Sequence, residues 1–229
     1  MKIKSVKTLY NMIKTDYKHA FLLIYWAVFG ILFWAMELMP GREYFSVSSP
    51  IDAMIPFNEW FLFAYFFWFI YIIGDIIFFF FKDREIFVKY MLYVIITYTL
   101  TLIVYAIFPT SQPLRPELTG DGFLISVTKW LYGYDTNTNV CPSIHVIGSF
   151  NVMFAALHSK NIKGVILKVL YVVACVLISL STVFVKQHSI IDVFWGVIVA
   201  LLVYPFVFKD NIFVRKIIDY FKAPEREKV

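Results

Sequence analysis

"WFLFAYFFWFIYIIGDIIFFFF", Trp60 to Phe81, is a run of 22 residues in which Asp75 alone carries a charge. At helical rise such a run is about 33 Å long. That is enough to cross a bilayer's hydrocarbon core of about 30 Å. The stretch predicts a membrane-spanning helix and sets the reading of the rest. Asp75 follows Gly74 deep in the run. A carboxylate at that depth is costly and needs a reason. A bond to a neighbouring helix and a place on a proton route both supply one.

Similar runs flank it. Residues 20–39 end at Pro40-Gly41, and residues 88–108 end at Pro109. Residues 165–185 and 189–208 follow, and a shorter run, 143–158, opens with Pro142-Ser143-Ile144-His145. The expectation is an all-α integral membrane protein, a bundle of six spans forming one domain over 1–229. Composition agrees: 60% of residues are hydrophobic, 16% are charged, and 25 are Phe. Mean hydropathy is +0.72. A soluble domain of this size cannot hide so much apolar surface. The first run is long enough to span, so it is expected to stay as an anchor rather than be cleaved. Cys141 lies in a loop and Cys175 inside an apolar run, which argues against a disulfide framework.

Basic residues orient the bundle. The tail 1–19, the turns 82–89 and 159–168, and the tail 209–229 together hold 17 Lys and Arg; the opposite side holds only 4, Arg42, Arg115, Lys129 and Lys186. The positive-inside rule puts both tails in the cytoplasm. The 109–142 loop and the 186–188 turn then face outward in a cell membrane. The net charge of +5 reports topology, not nucleic acid. "RKIIDYFKAPEREKV", from Arg215, fits a juxtamembrane helix on anionic lipid and equally a plain topology signal. His19 and His158 fall on the cytoplasmic side.

Two outward-facing stretches carry chemistry. In "HSIID", His188 and Asp192 are four apart, one helical face. A carboxylate there fixes the imidazole tautomer and leaves the other nitrogen free to attack. In "PSIH", Pro142 suits a first helical turn. The amides near Ile144 and the Ser143 hydroxyl then suit phosphate oxygens, and His145 supplies a second imidazole as proton donor. Arg115 is the loop's one guanidinium, apt for phosphate. Lys186 is either a second cation or a snorkelling interface lysine. Taken singly, each piece also reads as an ordinary helix start or interface residue. No His, Cys or carboxylate cluster has metal-ligand spacing, and no cofactor is implied. Cys141 has no base partner in sequence.

Together, Arg115-Pro116, Pro142-Ser143-x-His145 and Ser181-x6-His188-x3-Asp192 resemble the motifs of the type 2 phosphatidic acid phosphatase (PAP2) superfamily of membrane lipid phosphatases. The resemblance covers roughly 100–205. It departs at Phe108, where the family has Lys, at Thr182, where it has Arg, and at Ile144, where it has Gly. "KQHSIIDV" is closer to the branch of inositol phosphorylceramide synthases and related phosphotransferases. The resemblance implies a metal-independent lipid-phosphate phosphatase, with phosphatidic acid or a polyprenyl diphosphate as the type of substrate. His188 would be the nucleophile, Asp192 its orienter and His145 the acid and base. Arg115, Ser143, Ile144 and Lys186 would hold phosphate. A phosphotransferase with an alcohol acceptor and an inactive scaffold or transporter are the alternatives.

Overall fold

The structure, a computed structural model, describes residues 16–222. It is mostly helical. A 3-10 turn, Lys18–Leu23, runs into α1 (Ile24–Glu37). The short α2 (Pro50–Met54) follows, then α3 (Leu62–Lys82) and α4 (Arg84–Ile107). α5 (Phe123–Tyr134) lies in the long connection, before α6 (Ile144–His158), α7 (Val165–Phe184), α8 (Ile190–Phe208) and α9 (Ile212–Phe221). Two short strands, β1 (Phe45–Ser46) and β2 (Thr110–Ser111), pair in parallel and tie the loop after α1 to the long connection after α4. The expected tail residues 1–15 and 223–229 lie outside the described residues.

Among the described residues, five helical stretches are long and apolar enough to cross a membrane: Lys18–Glu37, Glu59–Lys82, Arg84–Ile107, Val165–Phe184 and Ile190–Phe208. α6 is apolar but has only 15 residues, about 22 Å of helix. It is the central element, packed against α3, α4, α7 and α8. Helices that meet lipid can be apolar all round, whereas α6 meets protein. That is why it tolerates Gly148, Ser149 and Asn151, all buried.

α3 shows how the opening run is used. Leu62, Tyr65, Trp68, Ile72, Asp75 and Phe79 recur at helical spacing and face inward. Phe63, Phe67, Ile70 and Phe81 face outward and are exposed. Burial of apolar surface drives little between helices in lipid, so close packing and polar links matter more. Tyrosines supply the links. Tyr93 Oη donates to Ala200 O (2.9 Å) and Tyr71 Oη to Tyr171 O (2.8 Å). Tyr171 Oη donates to Asp75 Oδ1 (2.8 Å), so Asp75 bonds to a neighbouring helix. Such bonds average about 0.6 kcal/mol each.

The third span begins at Arg84, not 88, and the expected 82–89 turn shrinks to Asp83. Asp83 caps α4, its Oδ1 accepting from Ile86 N (3.3 Å). Its Oδ2 also accepts from Ser159 Oγ just past α6 (2.6 Å). Glu85 and Lys89, an i,i+4 ion pair at 2.8 Å, extend the helix through charged sequence. In the tail, α9 buries Val214 and Ile218 and packs on α4.

Candidate active site

The α8 start builds half of the site. Ser189 is the N-cap and Asp192 the third residue, in a capping box. His188 therefore stands outside the helix, before the cap, rather than on its first turn. The i+4 contact still forms, because the Asp192 carboxylate reaches back past the cap. Its Oδ2 accepts from Ser189 N (2.9 Å) and meets His188 Nδ1 at 3.2 Å. One oxygen both caps the helix and orients the imidazole. The His188 amide donates to Thr182 O (3.0 Å), which pins the turn to the end of α7.

The α6 start builds the other half. Pro142 precedes the helix instead of opening it; Ser143 is the N-cap, with its Oγ accepting from Val146 N (3.5 Å). Ser143 N donates to Asp192 O (3.1 Å), tying the two helix starts together. Tyr105 Oη donates to Pro142 O (2.7 Å) and Tyr98 Oη to Ile144 O (3.4 Å). Thr110 Oγ1 accepts from Val140 N (3.1 Å) and Cys141 N (3.0 Å). His145 packs under Trp68 and Tyr65, with ring centroids 4.4 and 4.8 Å away.

His145 and His188 meet directly: His188 Nε2 lies 3.4 Å from His145 Nδ1. With Asp192 holding a proton on His188 Nδ1, the His188 Nε2 lone pair is free. The contact is then satisfied by His145 donating its Nδ1–H. A free imidazole lone pair and an N–H donor thus face each other. Both rings line a small cleft of about 40 Å³, together with Ile144, Asp135, Asn139 and Gln187.

The expected phosphate ligands are placed differently. Ser143 is fully buried and does not line the cleft, while Ile144 does. Arg115 reaches the edge of the site, but its guanidinium donates to Tyr132 O, Asp135 O, Thr136 O and Gln187 Oε1 at 2.5–3.0 Å. It also sits 4.6 Å over the Tyr132 ring. Lys186 adopts a left-handed φ of 57°. Its Nζ donates to Asp52 O (2.8 Å) and to Ile55 O, outside the cleft lining. Phe108 is exposed, and Thr182 Oγ1 bonds back to Ser179 O (2.8 Å), so neither supplies a cation.

Three carboxylates that sequence reasoning did not assign to the site support it. Asp52, on α2, is buried at the α8 start. It accepts from Ser189 Oγ (2.7 Å), Ile190 N (2.8 Å) and Ser49 N (2.7 Å). Glu37, the last residue of α1, accepts from Thr138 Oγ1 (2.8 Å), Thr136 Oγ1 and Asn139 Nδ2. The signal for Asp52 was local only: Ser49-Pro50 with Asp52 reads as a capped helix start. Asp135 completes the wall, Tyr65 Oη donating to its Oδ2 (3.3 Å). Burial pushes its carboxyl above the ordinary range, against the pull of His188 and Arg115. Burial, then the nearby Asp192, push the Cys141 thiol up to about 12. Cys141 therefore stays a thiol and makes a poor nucleophile.

A family model described as PAP2 superfamily matches residues 87–213, more than half of the chain. No curated protein and no solved structure matches it.

Proposed function

We propose that this chain, which belongs to the PAP2 superfamily, hydrolyses a lipid phosphomonoester or diphosphate at the extracytoplasmic surface of the cell membrane, through a phosphohistidine on His188. The observation that carries this reading is the pairing of the two imidazoles, His188 Nε2 at 3.4 Å from His145 Nδ1, with Asp192 behind.

His188 Nε2 attacks phosphorus while Asp192 Oδ2 holds the Nδ1–H and stabilises the imidazolium that forms. His145 gives its Nδ1 proton to the departing lipid alkoxide. It then takes a proton from water, which attacks the phosphohistidine and releases phosphate. Nucleophile and acid together serve this sequence without a metal. The two imidazoles must part on substrate binding. Attack needs about 3–3.5 Å from nitrogen to phosphorus, and proton transfer about 2.6–3.2 Å from acid to leaving oxygen. Those two distances cannot both fit inside the present 3.4 Å gap. His145 can yield, because its ring is held mainly by contact with Trp68 and Tyr65.

The outward-facing site goes with six crossings and both termini inside, the topology that the split of 17 against 4 basic residues favours. α6 is short, yet it joins the same two ends of the bundle as the long helices: Ser143 bonds beside the α8 start and Ser159 bonds to the α3–α4 junction.

A second reading, transfer of the phosphoryl unit to an alcohol in the manner of the inositol phosphorylceramide synthase branch, is favoured by one feature. Arg115 and Lys186 are already bonded to protein acceptors, and residues 108 and 182 are uncharged. A doubly charged phosphomonoester finds few free cations here. The test is phosphate release by purified protein in excess chelator, on phosphatidic acid, a polyprenyl diphosphate and a sphingoid phosphate. Release that vanishes in His188→Ala supports the phosphatase. Full activity in His188→Ala refutes the mechanism. Silence on every lipid moves the assignment to the transferase.

A further inference from the structure

α5 lies outside the spans yet presents bare aromatic rings. Phe123, Trp130 and Tyr134 are 79, 59 and 79% exposed, and the Trp130 and Tyr134 rings stack 5.5 Å apart. Their spacing, with half-buried Val127 between them, makes one stripe of the helix. Thr128 and Leu131, each one position later, form a buried stripe beside it. Ser126, Lys129 and Gly133, each one position earlier, form an exposed polar stripe on its other flank. Successive residues turn by about 100°, so α5 has a protein side, an aromatic side and a polar side.

Depth identifies what meets the aromatic side. The protein side packs on the Glu59–Phe61 turn, and Leu131 joins a cluster with Leu62 and Tyr65 against which Phe66, Leu124 and Val127 also pack. Leu62 to Phe66 stand three to seven residues inside the membrane-crossing stretch Glu59–Lys82, about 5–10 Å from its end. Helices that lie in a membrane interface bury their apolar face to about 5–10 Å, and Trp and Tyr concentrate at that level. Trp60 and Phe63, at the same end of the stretch, are exposed as well. Charge does not draw this segment to anionic lipid: Arg115 and Lys129 stand against Glu117, Asp121 and Asp135.

We propose that α5 is an interfacial helix. Its aromatic stripe beds among the headgroups and upper acyl chains of the leaflet on the cleft's side, and so holds the cleft mouth at the depth of lipid phosphate. The partner is the protein's own bilayer. The link to the cleft is bonded: Arg115 gathers Tyr132 O and Asp135 O at the end of α5 and reaches Gln187 Oε1, next to His188. Tyr132 Oη donates to Val185 O (2.7 Å) in the same turn. Asp135, the C-cap of α5, lines the cleft itself. The consequence for turnover rests on the phosphohistidine reading above; the seat of α5 in the bilayer does not.

Both arms of the test use the full chain in phosphatidylcholine proteoliposomes. In the first, Tyr134→p-benzoylphenylalanine and Trp130→p-benzoylphenylalanine are irradiated, with Ser126→p-benzoylphenylalanine on the polar stripe as control. Phospholipid adducts at the two aromatic positions and none at the control are expected. Cross-links between two copies of the chain, or adduct yields no higher than at the control, overturn the seat in the bilayer. In the second arm, the double variant Trp130→Ser, Tyr134→Ser loses the rings. The ratio of kcat/KM for vesicle-borne phosphatidic acid to that for p-nitrophenyl phosphate should fall several-fold, because only the lipid must be met at a set depth. An unchanged ratio overturns the claim that the seat positions the cleft. If neither substrate shows His188-dependent turnover, the phosphatase reading falls and the positioning claim with it, while the cross-links still decide the seat of α5.

Discussion

Gly196 holds the two halves of the site at their spacing, and Gly196→Ala tests that. A Cβ there would lie 3.0 Å from Val146 Cβ and 3.1 Å from the Ser143 carbonyl oxygen. Both neighbours flank His145 on the rigid start of α6, so the helices must part by a few tenths of an ångström. Two effects oppose each other in stability. Overpacking is destabilising by about 1–3 kcal/mol. Replacing a helical glycine by alanine returns about 1 kcal/mol. The net loss is then roughly 0–2 kcal/mol, a small fall in Tm. Activity has no such compensation. A misplacement of about 1 Å can lower the rate about 100-fold, so a few tenths should lower kcat by roughly three- to tenfold. The assay is lipid-phosphate turnover alongside thermal unfolding of the same preparation. Gly30→Ala is the control, since a Cβ there meets nothing within 4 Å; it should keep full activity and lose no stability. Unchanged kcat in Gly196→Ala would refute the claim that this contact sets the spacing of the two histidines.

Asp52→Ala removes the carboxylate that bonds Ser189, Ile190 and Ser49. It should lower Tm and reduce kcat at least tenfold, with Asp52→Asn in between, as measured by turnover and unfolding; normal kcat would show that the α2 clamp does not position His188. Arg115→Lys loses the fork that gathers Tyr132 O, Asp135 O and Thr136 O. It should lower Tm by several degrees and kcat roughly tenfold, and a rise in KM alone would instead mark Arg115 as a direct phosphate ligand. Cys141, whose thiol is pushed up to about 12 by burial, should resist alkylation at pH 8, and Cys141→Ser should keep more than half of the activity; rapid inactivation by iodoacetamide would contradict this.

Much of the bundle is legible as runs of apolar residues, because lipid rewards an unbroken run wherever a helix faces it. α6 is the exception. It is mostly buried against protein, so its run carries Gly148, Ser149 and Asn151, and the helix has only 15 residues. The starts of α6 and α8 are legible as Ser-x-His and His-x3-Asp, since cap chemistry is local. What local sequence does not reveal is which acceptor a cation finds. Arg115 reads as a phosphate ligand and Lys186 as either that or an interface lysine, yet their partners are backbone carbonyls of residues 132–136 and of Asp52 and Ile55, plus the Gln187 side chain. Asp52 and Glu37 stand about a hundred residues or more before the groups they bind at the site, with no spacing to betray them.

The central claim is that phosphoryl passes through His188. The direct measurement is the site of covalent phosphate after a brief reaction of His145→Ala with p-nitrophenyl phosphate. That leaving group needs no proton, so the first step proceeds without His145, while the second step, which needs a base, stalls. Peptide mass spectrometry should find an acid-labile phosphate on His188. Phosphate on Ser143 or Cys141, or burst release of nitrophenol with His188 unmodified, would contradict it.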